Sequence, residues 1–153
     1  EMTELGYNYR LTDFQSALGI SQLQKIKLFL KKRLEISKIY NAGFKNNNFI
    51  KTPKVLGSNK HAFHLYPVLI NFKKIQKTKK MFFNFLTRNN ILPQVHYIPI
   101  FLQPYYKKKF GININDFPNS KRFYEQEVSL PIYYSLKKKE ILKIISLVNK
   151  FVE

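Results

Sequence analysis

The chain has 153 residues, of which 44% are hydrophobic, so it holds enough apolar side chains for the core of one domain. It contains no cysteine, which excludes disulfides and cysteine-bound metals. Its 27 Lys and Arg residues against 9 Asp and Glu residues give a formal net charge of +18, which excludes an acidic surface and favours anionic partners such as phosphorylated ligands or nucleic acid.

The N-terminal third predicts an extended entry segment over 1–11 and one long helix over 12–42. Thr12 and Gln15 have the spacing of a capping box, in which each side chain bonds to the other residue's backbone N–H. Gly43 suits the end of this helix. Apolar residues follow the box at helical spacing: Phe14, Ala17, Leu18, Leu23, Ile26, Leu30 and Leu34.

The rest of the chain predicts a small sheet and three more helices. Alternating β-rich runs indicate strands over 63–71, 91–97 and 129–133, and Pro67 inside the first of them favours an edge position or a bulge. Helices are expected over 74–88 and 119–127, with a last one capped by Ser135 and running to Val152, whereas 98–115 is expected to be irregular. The order indicates an α/β fold (an α+β small domain) in which helices cover one small sheet. We expect an entry segment and long helix over 1–45 and a small domain over 46–153.

Most signatures of catalysis are absent from the sequence. The five glycines are scattered, so they form neither a glycine-rich phosphate loop nor a nucleophile elbow. The three histidines, His61, His64 and His96, lack the carboxylate partners of a zinc site. We therefore predict no metal site.

Two segments concentrate polar and aromatic side chains. In residues 6–15 (GYNYRLTDFQ), Asn8 and Arg10 share one side of an extended run just before a helix N-terminus, where phosphate binds well. The alternative is an entry strand whose Asn and Arg cap their neighbours. In residues 95–106 (VHYIPIFLQPYY), a strand end delivers His96 and Tyr97 to a proline-fixed loop of the kind that lines ligand sites. The alternative is a packed aromatic loop.

Taken in order, the motifs resemble the DegT/DnrJ/StrS-type sugar aminotransferases, which have the aspartate-aminotransferase fold. Residues 6–19 resemble the segment that opens the long interdomain helix of that family, and 64–68 (HLYPV) resemble its first small-domain strand. Residues 95–99 and 103–106 resemble its substrate loop, and 117–120 (FPNS) and 130–133 (LPIY) resemble its closing elements. The pattern most resembles the branch that makes the 4-amino sugar precursor of pseudaminic acid.

The resemblance implies a pyridoxal 5'-phosphate (PLP) enzyme that moves an amino group from glutamate to C4 of a UDP-linked 4-keto-6-deoxy-N-acetylhexose. In the family, the Schiff-base lysine and the acid that pairs with the pyridine nitrogen precede the segment matched by Asn8. We therefore expect the PLP-binding large domain to lie outside this chain, which begins without Met. We assign no catalytic residue within it, and expect it to be inactive alone.

The resemblance also implies roles for four residues. Asn8 matches the residue that reaches across a homodimer to the cofactor phosphate of the other subunit, and Arg10 lies in the same motif, where it can pair with phosphate or substrate. His96 and Tyr97 match the region that contacts the nucleotide sugar. Phe101 departs from the family, whose members often carry a polar residue around that position.

Two other functions compete with this interpretation: a basic nucleic-acid-binding module and a noncatalytic interaction domain. The aromatic residues follow core periodicity and no nucleic-acid motif is present, so we predict no specific nucleic-acid partner. A/T-only codons can encode Lys, Asn, Ile, Phe and Tyr, so a nucleotide bias also explains the charge. No apolar run of 18 residues and no signal peptide is visible, so we expect a cytoplasmic protein without a membrane partner.

Overall fold

The computed structural model describes residues 3–153. Residues 1 and 2, where the predicted entry segment begins, lie outside this described part. Residues 3–12 are exposed and form neither helix nor strand, and Thr12 has the extended backbone of a helix N-cap. The chain therefore enters its first helix from an open segment that does not pack on the rest of the protein.

Helix α1 (Asp13–Phe44) is one continuous helix of 32 residues, as the apolar periodicity predicts. The capping box is formed: the Gln15 N–H donates to Thr12 Oγ1 at 3.3 Å, and the Thr12 N–H donates to Gln15 Oε1 at 3.0 Å. Burial begins only at Ile36 in the C-terminal part of the helix. The apolar stripe nearer the N-terminus is exposed in the described chain, at Phe14, Leu18, Leu23, Ile26 and Leu30.

The sheet has three antiparallel strands: β1 (Ile50–Lys51), β2 (Tyr66–Ile70) and β3 (Glu127–Leu130), in the order β1-β2-β3. Tyr66 pairs with Leu130, and Ile50 pairs with Ile70. Pro67 lies in the central strand, but β1 is too short to reach it, so the β1 side of β2 is open there. Strand β2 begins three residues later than predicted because Phe63 has a positive φ of 45°, which interrupts the extended chain.

The predicted strand over 91–97 is wrong. Only an isolated bridge forms there, between Gln94 and Ser129. Pro93 lies inside the segment and Pro99 follows it closely, and a proline lacks the N–H that a ladder needs. Strand β1 was not predicted, because a strand of two residues is too short to show an alternation of apolar and polar side chains.

Four further α-helices follow α1 in the described residues, α2 (Lys79–Arg88), α3 (Pro104–Phe110), α4 (Pro118–Gln126) and α5 (Lys138–Val152), together with two 3-10 turns at Ile100–Leu102 and Ile114–Asp116. Helix α2 begins five residues later than predicted because Gln76 has a positive φ of 53° and Thr78 caps the helix by accepting from the Met81 N–H. Helix α3 lies within the segment predicted to be irregular. Ser135 is not the cap of the last helix: Lys137 is, and its N–H donates to Glu140 Oε2 at 2.7 Å.

The core lies where the C-terminal end of α1, the sheet, α2 and α5 meet. The rings of Tyr40 and Tyr66 are fully buried with centroids 4.8 Å apart, and the Tyr40 hydroxyl donates to the Pro131 carbonyl at 2.8 Å. Gly43 allows α1 and α5 to approach closely, since a Cβ there would lie 2.7 Å from two carbon atoms of Ile145. This packing fixes the sheet, and hence the segment of residues 94–97 beside β3, relative to the end of the long helix.

We expect Gly43→Ala to be about 1–3 kcal/mol less stable to unfolding than Gly19→Ala, because overpacking costs that much. Both substitutions replace a glycine of α1 and share a helix-propensity gain of up to ~1 kcal/mol, but a Cβ at Gly19 would meet no atom within 4 Å. Urea unfolding of residues 1–153 measures the difference. Equal stabilities would contradict the close approach of α1 and α5.

Candidate functional site

The first group of site residues lies in the open segment before α1. The Oδ1 of Asn8 accepts the Arg10 N–H at 3.2 Å, and both residues are exposed. This bond leaves the Asn8 side-chain NH2 and the Arg10 guanidinium as donors beside the N-terminus of α1. Such donors suit a phosphate group.

These donors are of the kind that would bind the phosphate of the PLP that the resemblance implies. No lysine precedes Lys25, which lies inside α1. The described segment thus offers anion-binding donors without the amine to which the family's cofactor is linked.

The second group lies beside β3. The His96 N–H donates to Glu127 Oε2 at 3.1 Å, and the imidazole Nδ1 is buried without a hydrogen-bond partner among the described residues. The Tyr97 side chain is 73% exposed, and its ring meets that of His96 edge to face at 4.8 Å. His96 therefore presents an unsatisfied polar atom, and Tyr97 presents its phenol to solvent.

A cavity of about 700 Å³ opens beside His96. This volume is within the range of small-molecule sites. His64 also lines the cavity, and its Nδ1 accepts from Arg33 Nη1 at 3.2 Å. The other polar lining residues are Asn90, Gln94, Ser129, Tyr133, Glu140 and Lys143.

Phe101, the departure from the family pattern, is buried and stacks on Phe117 with centroids 5.0 Å apart, so its role here is packing.

Sequence reasoning missed Glu127, whose side chain is fully buried. Its Oε2 accepts from His96 and its Oε1 accepts the Ser129 hydroxyl at 2.6 Å. Burial lowers the pKa of the nearby Lys79, although the Glu127 carboxylate acts in the opposite direction. The sequence pattern placed this residue at the end of the predicted helix over 119–127, whereas the structure places it at the first position of β3.

The contacts do not bring the two groups together. Asn8 bonds to Arg10 and His96 contacts Tyr97, and no hydrogen bond or ring contact in the described chain joins one pair to the other. Asn8 and Arg10 precede the start of α1, whereas His64, beside the cavity, contacts Arg33. Asp13 and Arg33 are roughly 30 Å apart along the helix axis at 1.5 Å per residue. The Asn8–Arg10 pair therefore lies at the end of α1 that is far from Arg33, the residue that contacts His64 beside the cavity.

The part of the chain that the structure describes shows neither a cluster of three or more potential metal ligands nor a helix able to span a membrane.

The comparisons with known proteins decide the family. Residues 1–149 match the model of the DegT/DnrJ/EryC1/StrS aminotransferase family. The chain belongs to this family. It is 39% identical over 141 residues to the UDP-4-amino-4,6-dideoxy-N-acetyl-beta-L-altrosamine transaminase of Campylobacter jejuni, covering 92% of this chain and 36% of that protein.

Two solved aminotransferase structures have the same fold as this chain. Helicobacter pylori PseC, an aminotransferase involved in pseudaminic acid biosynthesis, superposes with a TM-score of 0.88 at 35% identity, over 98% of this chain and 40% of that one. The PLP-form of Streptococcus pneumoniae Spr1654, a putative sugar aminotransferase, superposes with a TM-score of 0.86 at 24% identity, over 100% of this chain and 39% of that one. The expected fold is confirmed as the C-terminal part of a fold type I aminotransferase, and family membership indicates PLP as the cofactor. The chain spans about two fifths of the length of these relatives.

Proposed function

We propose that this chain is the long-helix and small-domain portion of an aminotransferase that moves an amino group from glutamate to C4 of a UDP-linked 4-keto-6-deoxy-N-acetylhexose, in nucleotide-sugar biosynthesis of the pseudaminic acid type. The observation that carries the proposal is the family match over 1–149, together with 39% identity to a UDP-sugar transaminase. The cysteine-free composition fits a cytoplasmic enzyme.

In this proposal, PLP supplies the electron sink of the reaction, and the residues of this chain bind and orient. The side-chain NH2 of Asn8 holds the cofactor phosphate, and the Arg10 guanidinium pairs with phosphate or substrate. His96, which lines the cavity, and Tyr97, through its exposed phenol, bind the nucleotide sugar. The amine that links the cofactor comes from a large domain outside the 153 residues.

A homodimer accounts for the separation between the Asn8–Arg10 pair and the His96–Tyr97 pair. Residues 3–12 are exposed and project from the start of α1, so Asn8 is accessible to a second subunit. The exposed apolar residues of α1, including Leu18 and Leu23, offer surface for the large domain or the partner. Asn8 of one subunit then completes the phosphate site of the other.

The test compares residues 1–153 with the complete polypeptide, including the cofactor-binding domain proposed to lie upstream. With PLP, glutamate and the keto sugar, the complete polypeptide is expected to form the 4-amino sugar, measured by mass spectrometry. Residues 1–153 alone are expected to form none, since no lysine here is assigned to the cofactor. Robust amination by residues 1–153 alone would show that the account of an incomplete site is wrong.

The net charge of +18 favours a second candidate, nucleic-acid binding. We expect only weak binding without sequence preference, because surface lysines act through counterion release, and a steep loss of affinity between 50 and 200 mM salt. Fluorescence anisotropy with unrelated duplexes measures both properties. Tight binding to one defined nucleotide sequence at physiological salt would contradict the aminotransferase interpretation of this surface.

A further inference from the structure

We propose that Glu127 is a positioning residue for the substrate: its buried carboxylate fixes the backbone that carries His96 and Tyr97. This inference rests on the proposed function, in which those two side chains bind the nucleotide sugar. Glu127 itself is fully buried and lies at the first position of β3, where it pairs with Leu69 of β2. Its carboxylate acts through the backbone of the neighbouring segment of residues 94–97.

The segment of residues 94–97 is attached to β3 at few points. The Gln94 N–H donates to the Ser129 carbonyl at 3.1 Å, and the Ser129 N–H donates to the Gln94 carbonyl at 2.8 Å. Two residues further on, the His96 N–H donates to Glu127 Oε2 at 3.1 Å. A regular ladder does not form over this stretch, so the carboxylate takes the place of a backbone acceptor for His96.

Both oxygens of the carboxylate are used. Oε1 accepts the Ser129 hydroxyl at 2.6 Å, which fixes the rotation of the side chain and directs Oε2 to His96. Ser129 also forms the bridge to Gln94, so one residue of β3 supports both attachments. A buried carboxylate is costly unless it is hydrogen-bonded, and an apolar side chain of similar volume would fill this place at lower cost.

The positioned segment faces the cavity. Gln94 and His96 both line it, and the buried Nδ1 of His96 is the atom without a partner. Release of the His96 N–H from Glu127 frees the backbone that sets the direction of the imidazole and of the exposed Tyr97 phenol. Glu127 thus governs sugar binding without touching the sugar.

The experiment uses the complete polypeptide with PLP bound and compares Glu127→Met, which keeps the volume but removes both acceptors, with Glu125→Met. Glu125 is exposed on α4, so its replacement removes the same charge without touching the segment. Glu127→Met is expected to raise the KM for the keto sugar roughly 10-fold, the factor that corresponds to about 1.4 kcal/mol. The glutamate half-reaction, followed by cofactor absorbance, is expected to be unchanged, and the His96 amide is expected to exchange with deuterium roughly 10-fold faster.

Glu127→Gln keeps one acceptor oxygen for His96. It is expected to raise the KM for the keto sugar and the exchange rate of the His96 amide by smaller factors than Glu127→Met, and it tests the inference if the Met variant folds poorly. Tyr97→Ala separates this inference from the proposed function. If Tyr97→Ala raises the KM for the sugar but neither Glu127 variant does, the positioning role is overturned and the proposed function stands. If the wild-type polypeptide aminates no keto sugar, the proposed function fails. Unchanged exchange at His96 in both Glu127 variants overturns the positioning role in every case.

Discussion

Replacing Asn8 by alanine in the complete polypeptide is expected to weaken PLP binding roughly 10- to 150-fold. The substitution removes a hydrogen bond to a charged phosphate, which contributes about 1.5–3 kcal/mol. Asn8 is exposed and its Oδ1 bonds only within its own segment, so the loss of affinity is not accompanied by a loss of core packing. Equilibrium dialysis of PLP measures the effect, and Asn59→Ala, at another exposed asparagine, is the control.

The defect is expected to act across the dimer. In a heterodimer of an Asn8→Ala subunit and a subunit without its cofactor lysine, one site carries both defects and the other carries neither. Mixed dimers are therefore expected to recover about half of the wild-type sites, whereas each homodimer has two defective sites. Wild-type PLP affinity in the Asn8→Ala homodimer would remove Asn8 from the site while leaving the family assignment intact. Affinity that is lost with no recovery in mixed dimers would place Asn8 in the site of its own subunit.

Raising the pH from 9 to 11 is expected to lower the free energy of unfolding of residues 1–153 by about 3 kcal/mol through Tyr40 and Tyr66. Burial raises the pKa of both phenols well above the ordinary value of 10. Above pH 10 the unfolded chain releases these two protons while the folded chain retains them, so the unfolded state is favoured as the pH rises. Each tyrosine contributes about 1.4 kcal/mol per pH unit above 10. Below pH 10 their contribution is constant.

Tyr40→Phe/Tyr66→Phe isolates this contribution. The double variant is expected to be less stable at neutral pH, because it loses the bond from Tyr40 to Pro131 and that from Tyr66 to Asn41. Its stability is nevertheless expected to fall by about 3 kcal/mol less between pH 9 and 11. The lowered pKa of Lys79 acts in the opposite direction but is common to both proteins, so it cancels. Urea unfolding at each pH, with the exposed Tyr105→Phe as control, measures the difference. An unchanged pH dependence in the double variant would contradict the burial of the two phenols.

The sequence predicted the elements that local chemistry determines. The capping box of Thr12 and Gln15 and an uninterrupted apolar stripe predicted α1 to within two residues of its end. The same stripe runs along most of the helix, yet burial starts only at Ile36. Periodicity identifies the apolar face of a helix but not what covers it. Nothing within the described chain covers the N-terminal half of that face.

The misassigned elements depend on contacts that periodicity does not report. Residues 91–97 have the composition of a strand, but Pro93 within them has no N–H to donate to a ladder, and only one bridge forms. Gln76 and Phe63 adopt positive φ values that no pattern in their neighbours predicts. At the candidate site, motifs drew attention to His96 and Tyr97 themselves. Glu127, which bonds to the His96 N–H, lies 31 residues away and could be found only from the packed structure.

The most direct test of the central claim follows the nitrogen atom. The complete polypeptide is incubated with PLP, 15N-labelled glutamate and the UDP-linked 4-keto-6-deoxy-N-acetylhexose, and the sugar product is examined by NMR. The account predicts that the label appears on C4 of the sugar and that 2-oxoglutarate forms in equal amount. Folded, PLP-loaded protein that leaves the label on glutamate with this sugar would contradict it.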